Sequence, residues 1–392
     1  MQCDVYLAGA VRTPIGSFLG SLSGVPAPAL GAVALGGALE RASVPSSQLD
    51  EVVFGNVIGA GLGQNVARQC SLGAGNDPSI GATTVNRVCG SGLKAVMMAA
   101  QAIQLGEASV VVAGGTESMS RAPYLLDHAR GGYRLGNGEL VDSMIRDGLW
   151  DVYNEVHMGT CGDKTATHCG ISREEQDDYA VRSYTLAQES AEKGWAADEI
   201  VSVDTQQKRE TVTVSSDEEP LRFNEAKLRG LRPAFGADGS VTAGNASTIN
   251  DGAAAVVCLS RGKVDELGVQ PLARILGYAT YSREPEWFTL APVGVQQKLL
   301  EQLDMKVDDI DVFEINEAFA VVALAAIREM HLPLERVNPL GGAIAIGHPI
   351  GASGTRTLVT LLNALRVRGG KTGMVSLCVG GGEAVGMVVE LV

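Results

Sequence analysis

Apolar residues follow two alternating rhythms along this chain. Short, nearly continuous apolar runs at 52–58, 109–113, 253–259, 312–315, 374–379 and 386–392 read as strands covered on both faces. Between them the period changes. Leu93, Val96, Met97 and Ala100 recur at i, i+3, i+4, i+7, as do Leu358, Leu361, Leu362 and Leu365, and each set predicts one face of a helix. Strands alternating with helices predict an α/β fold.

The same order of parts occurs twice. In the first half a glycine-rich turn carrying Cys89 opens a helix, and a strand ending in Gly114-Gly115 follows. In the second half a glycine-rich turn carrying His348 opens a helix, and the next strand ends in Gly380-Gly381-Gly382. The match points to internal duplication of one α/β unit. From about Met119 to Ala246 the chain turns polar and irregular, which predicts an inserted loop domain over 119–249. It separates an N-terminal half, 1–118, from a C-terminal half, 272–392, and the N-terminal half resumes at about 250–271. Inside the insertion, Ser172 and Glu175 form an S-x-x-E capping box and Gly194 suits the helix end.

A formal charge of −14 over 392 residues argues against a broad basic face for nucleic acid or an anionic membrane. Seven cysteines, at 3, 70, 89, 161, 169, 258 and 378, are unpaired in spacing, as reduced thiols would be. The N-terminal residues show neither a signal peptide nor a transit peptide, and no apolar run reaches membrane-spanning length. A soluble, cytoplasmic protein is therefore expected. His157, Cys161, His168 and Cys169 fit no usual zinc spacing, so no metal is expected in the chemistry. Gly59-Ala60-Gly61-Leu62-Gly63-Gln64 lacks the third glycine of a dinucleotide fingerprint.

Four segments can carry chemistry. In 86–92, N-R-V-C-G-S-G, Cys89 precedes a helix whose dipole and free N–H groups favour a thiolate able to attack a thioester. A buried filler cysteine is the competing reading, and the flanking glycines, which let a substrate approach the backbone, count against it. In 341–354, G-G-A-I-A-I-G-H-P-I-G-A-S-G, His348 lies between glycine and proline in a rigid turn that can aim an imidazole at a thiol, or it is simply structural. In 376–382, S-L-C-V-G-G-G, Cys378 can exchange protons with a substrate carbon and the glycine N–H groups can form an oxyanion hole; a tight turn is the alternative. In 316–320, N-E-A-F-A, Asn316 is either a helix N-cap or an amide that holds a water.

These blocks, in this order, resemble the signature blocks of the thiolase family. The resemblance runs from Val11-Arg12-Thr13-Pro14 to the last strand. It implies the thiolase fold, two duplicated mixed-sheet halves stacked as five αβαβα layers with an inserted loop domain. It implies Cys89 as the acylated nucleophile, His348 as its base, Cys378 as acid and base at the substrate α-carbon, and Asn316 as anchor of an oxyanion water. The backbone N–H groups of Cys89 and Gly380 would receive the tetrahedral oxyanion. The implied reaction is the reversible Claisen condensation of two acetyl-CoA to acetoacetyl-CoA and CoA, with coenzyme A as substrate or product and no resident cofactor. All four chemical positions carry the expected residue types, so an active enzyme is expected.

The resemblance also places substrate contacts. His157 and Met158, in 153–159, border a short acyl pocket, and Met158 would limit chain length. Ala318 and Phe319 of N-E-A-F-A, Phe288, and Ser247 on the pantetheine tunnel line the path, with Arg222 near the CoA nucleotide despite altered spacing around it. Tyr184 and Phe288 lie in stretches similar to those of potassium-activated relatives, but Thr289 stands where those have proline, which leaves potassium activation and branched substrates open. The stretch 130–136, R-G-G-Y-R-L-G, resembles a tetramerisation loop and implies a dimer of dimers. A longer-chain 3-ketoacyl-CoA thiolase is the nearest rival. A non-catalytic acyl-CoA binding relative is the remote one.

Overall fold

The computed structural model describes residues 4–207 and 210–392, which leaves Cys3 outside the described residues. The main strands are β1 (Val5–Arg12), β2 (Glu51–Gly55), β3 (Gly81–Val85), β4 (Val110–Ser118), β5 (Asn250–Ser260), β6 (Ala273–Ser282), β7 (Val312–Ile315), β8 (Thr372–Val379) and β9 (Glu383–Leu391). They run in the order β7-β8-β9-β6-β1-β5-β4-β2-β3. The duplication is visible in that order. β2 is parallel to β4, β4 antiparallel to β5, and β5 antiparallel to β1. In the other half β7, β8, β9 and β6 repeat those three relations in sequence. Among the described residues the two sheets meet edge to edge through two residue pairs, Tyr6 with Arg274 and Leu7 with Ala273.

Strands missing from the sequence reading have local causes. β1 carries a bulge between Ala8 and Val11, with Gly9 at φ +58°, so its apolar run breaks the period of two. β6 is bulged between Ile275 and Gly277. The run at 52–58 ends as strand at Gly55, because Val57 and Ile58 turn their N–H groups to the Glu117 carboxylate instead.

Helices fill three layers. α1 (Ala27–Ala42) covers the outer face of the N-terminal sheet, while α5 (Ala291–Leu303) and α6 (Ala320–Met330) cover the outer face of the other. Between the sheets lie α2 (Ser91–Leu105) and α7 (Ile350–Arg368), whose predicted faces merge with both sheets in one core. Leu93, Leu358, Leu361 and Leu365 are wholly buried there, at about 1.5–3 kcal/mol each. α7 buries every residue from Ile350 to Leu365, as a helix sandwiched between sheets must.

The first turns of α2 and α7 touch. A Cβ on Gly92 would sit 2.7 Å from the Thr355 nitrogen, and one on Gly354 would sit 2.2 Å from the Leu93 nitrogen. Gly90 likewise abuts Val379 and Val385. These glycines therefore serve the approach of helix to helix and helix to strand, not that of a substrate. The consequence is functional: the turns just ahead of the two helices, with Cys89 and His348, are drawn together.

Outside the sheets, α3 (Met158–Cys169) and α4 (Arg173–Glu192) form the helical part of the polar stretch. The capping box of α4 is made as read: Glu175 N–H donates to the Ser172 hydroxyl and Ser172 N–H to the Glu175 carboxylate. Among the described residues no helix is long and apolar enough to cross a membrane.

Candidate active site

Cys89 follows a residue in a conformation that β-branched side chains avoid, Val88 at φ +45°. Such a residue costs about 1–3 kcal/mol and survives only where its surroundings hold it. Here Val88 N–H donates to Asn86 Oδ1, and the Ser91 hydroxyl accepts from Arg87 N–H and donates to Val88 O. The turn sets the half-buried Cys89 on the wall of a cavity of about 490 Å³. The backbone N–H groups of Cys89 itself and of Gly380 both point at its sulfur.

Burial pushes the Cys89 thiol up to about 12, against the lowering by those two N–H groups, and the Glu117 carboxylate adds to the rise. This corrects the sequence expectation of a thiolate favoured at the helix start. Loss of water outweighs the helix dipole, so the resting group is a thiol.

His348 is fixed from three sides. Gly347 takes φ +117°, and a Cβ there would come within 2.6 Å of the Asn250 side chain. That closeness lets Asn250 Oδ1 accept from His348 N–H at 2.8 Å. The ring Nδ1 lies 2.5 Å from the Ser353 hydroxyl, which donates its own hydrogen to Pro349 O. With that hydrogen committed, the hydroxyl accepts, so Nδ1 carries the ring proton. Nε2 is then an unprotonated acceptor, and it has no hydrogen-bond partner among the described residues. Burial first, and the Arg356 charge second, lower the His348 pKa to about 3, so the imidazole is neutral at physiological pH. Ser353→Ala is expected to strand the buried Nδ1–H, at about 1–3 kcal/mol. Turnover should fall about tenfold to 100-fold with the substrate KM little changed, as measured by steady-state kinetics.

Cys378 ends β8, is wholly buried, and does not itself line the cavity wall. Its thiol is raised well above the ordinary value by burial, and next by the neighbouring Cys89 sulfur, which places the two within electrostatic reach. Asn316 follows β7, but the N-cap of α6 is Phe319, so the capping role is excluded. Its Oδ1 accepts from Arg356 Nη2 at 3.3 Å and its Nδ2 has no hydrogen-bond partner among the described residues.

The cavity wall also carries His348, Gly380, Ser247, His157, Met158, Arg222, Phe288, Ala318 and Phe319. Local pairing explains several. Ser247 N–H donates to Ala318 O and Ala320 N–H to Asn245 O, which lays 245–247 alongside N-E-A-F-A. His157 stacks on Phe235 at 4.6 Å, and its Nδ1 accepts from Gly159 N–H. The Met158 side chain reaches within 3.8 Å of the Cβ position at Gly380. Phe319 stands edge-on to both Phe288 and Phe235. Arg222 is exposed at the mouth, 3.6 Å from Glu218. Tyr184 lies away from the wall, stacked on Phe223. Cys161 contacts Asp151, and His168 packs on Trp287, so those two side chains of the rejected zinc set have partners elsewhere.

Sequence reading missed the residues that hold the site. Glu117, on β4, accepts from Val57, Ile58 and Gly351 N–H and from Asn56 Nδ2, tying the start of α7 to the N-terminal sheet. Burial raises its pKa to about 7 against those four bonds. Asn250, Ser353, Arg356 and Phe235 belong with it. Ser353, five residues after His348 in the same glycine-rich block, was the one with a visible signal.

A thiol and a neutral imidazole on one cavity wall, with two N–H donors aimed at the sulfur, define an α/β enzyme of acyl transfer through a thioester. The family descriptions "Thiolase, N-terminal domain" and "Thiolase, C-terminal domain" match residues 5–262 and 269–391. An acetyl-CoA acetyltransferase of Syntrophomonas wolfei is 48% identical over 100% of both chains. Acetyl-CoA acetyltransferase 2 of Arabidopsis thaliana is 51% identical over 99% of this chain and 97% of its own. Among solved structures, a Bacillus anthracis acetyl-CoA acetyltransferase superposes with a TM-score of 0.97 at 42% identity, covering 100% of this chain and 99% of its own. A thiolase from Ascaris suum, solved in complex with coenzyme A, gives 0.94 at 44% identity, covering 99% and 100%. The chain belongs to the thiolase family.

Proposed function

We propose that this enzyme is an acetyl-CoA C-acetyltransferase, condensing two acetyl-CoA to acetoacetyl-CoA and CoA and running the reverse thiolysis through an acyl-Cys89 intermediate. The observation that carries the reading is the single cavity wall shared by Cys89, His348 and Gly380, closed in by Met158, Phe288 and Phe319. Full-length relatives at about half identity carry that activity in their names.

In the first half-reaction the Cys89 proton passes to His348 Nε2 as the sulfur attacks the acetyl thioester. The oxyanion is received by the N–H groups of Cys89 and Gly380. CoA leaves as its sulfur takes the proton back from His348. In the second, Cys378 gives its proton to His348 and, as thiolate, removes an α-proton from acetyl-CoA. The enolate oxygen is held by the imidazolium and by a water on Asn316 Nδ2. The enolate carbon attacks the acyl-Cys89 carbonyl, and the departing Cys89 sulfur recovers the proton from His348.

One water anchor contributes about 10²–10³ in rate when its donor is an oxyanion ligand. Asn316→Ala should therefore slow condensation by that factor while leaving Cys89 acetylation measurable. Unchanged turnover would remove the anchor role.

Substrate length is tested by thiolysis of four-carbon against eight-carbon and longer 3-ketoacyl-CoAs. The enclosure by Met158, Phe288 and Phe319 predicts a kcat/KM at least about tenfold higher for acetoacetyl-CoA, since each ill-fitting methylene costs about 1–3 kcal/mol. Equal or higher values for the longer substrates would assign the enzyme to fatty-acid breakdown instead.

Residues 119–249 act in this reading as a loop domain supplying one wall of the tunnel. The exposed Leu126, Tyr133, Leu135 and Leu140 around 130–136 support a homotetramer, which light scattering on a sizing column would check. The six described cysteines are all free, which supports a cytoplasmic setting.

A further inference from the structure

Arg356 lies on α7 one turn beyond Ser353 and is 1% exposed. Its Nη2 donates to Asn316 Oδ1, whereas Nε and Nη1 have no acceptor among the described residues. Glu314, two residues before Asn316 on β7, is equally buried, and burial, against the nearby Arg356 charge, holds its pKa well above the usual carboxylate value. A buried guanidinium with one hydrogen bond is an expensive component for a core, where an apolar side chain of similar volume is often as stable or more so. Something besides stability holds it there.

The amide it touches has one donor end and one acceptor end, and only the donor end can serve an oxyanion or its water. Turned over, Asn316 would aim lone pairs at developing negative charge. Among the described residues no other hydrogen bond holds that amide: Glu317, the neighbouring carboxylate, is already taken by Tyr179, Ser183, Asn338 and the Ile344 N–H. We propose that Arg356 is a positioning residue for the condensation step, fixing Asn316 by its Oδ1 so that Nδ2 faces the reacting atoms. The proposal rests on the reading of Asn316 as the oxyanion anchor.

The test compares Arg356→Lys, Arg356→Met, Asn316→Ala and the double variant Asn316→Ala/Arg356→Lys in the whole enzyme. A lysine keeps the charge but not the planar fork. Condensation kcat of Arg356→Lys should fall about tenfold to 100-fold, the scale of a misplaced catalytic group. Its KM for acetyl-CoA should stay within about twofold, with Cys89 still fully acetylated by mass spectrometry, and Arg356→Met should be slower. The double variant should be no slower than Asn316→Ala alone, because the residue through which Arg356 acts is gone. Wild-type kcat in Arg356→Lys, a loss confined to KM, or losses that multiply in the double variant would each overturn the proposal. The double variant decides the matter even where Arg356→Met does not fold. If Asn316→Ala itself turns over at the wild-type rate, the anchor reading fails; if it is slow while Arg356→Lys is not, only the role of Arg356 fails.

Discussion

Cys89→Ala should accept no acetyl group from acetyl-CoA and should lose roughly 10⁶-fold in turnover, the scale on which removal of a covalent nucleophile acts. The cavity, the Gly380 N–H and the His348 ring all remain in this variant, so coenzyme A binding should survive while chemistry stops. Mass spectrometry after acetyl-CoA gives the answer directly: a label on the mutant protein would place the nucleophile elsewhere. The thiol's environment adds a second signature. Because burial holds Cys89 near 12, the free thiolate is scarce at pH 7, and in the proposed mechanism acylation depends on His348 taking the proton during attack. In His348→Ala that route is closed. Acylation should then follow the thiolate fraction and rise about tenfold per pH unit between pH 7 and 9, well below the thiol pKa. In the wild type it should be nearly flat, since the imidazole, held near 3, is already unprotonated across that range. A wild-type-like flat profile in His348→Ala would remove the imidazole from the acylation step.

What could be read from the sequence divides by distance along the chain. The central helices announced themselves because Leu93 to Ala100 and Leu358 to Leu365 repeat a pattern fixed within a few turns. The candidate groups Cys89, His348 and Cys378 stood out for a related reason: each sits in or beside a glycine-rich turn at the edge of such an element. Their supports were not. Glu117 meets Gly351 across 234 residues and Asn250 meets His348 across 98, and a lone acidic or amide residue at the end of an apolar run carries no mark of its partner. Arg356 was hidden still better, since a charged residue on a helix suggests a solvated face until both sides of the helix are known to be covered. The glycines around Cys89 were seen but misassigned. Their clearance is taken up by the crossing of α2 and α7, a contact that exists only once the two halves are stacked. The favoured thiolate failed for the same reason, because the helix dipole is a local property and the desolvation that defeats it is not.

The second large effect separates the two half-reactions. Cys378→Ala should leave acetylation of Cys89 intact and reduce condensation by about 10²–10⁴-fold, the usual worth of a placed general base. The separation follows from where the two sulfurs lie. Cys89 opens to the cavity with the N–H groups of Cys89 and Gly380 directed at its sulfur, whereas Cys378 is wholly buried near the end of β8, where burial first and the Cys89 sulfur second oppose its ionisation. Two thiolates so close in a dry site cannot coexist, so Cys378 can act as a thiolate only while Cys89 is uncharged, as it is in the acylated enzyme. Incubated with acetyl-CoA, Cys378→Ala should accumulate stoichiometric acetyl-enzyme, release one equivalent of CoA in a burst, and then stall. Exchange of the acetyl-CoA methyl protons with deuterated solvent, followed by NMR, should stop with it. Continued exchange at the wild-type rate in that variant would show that another group removes the α-proton.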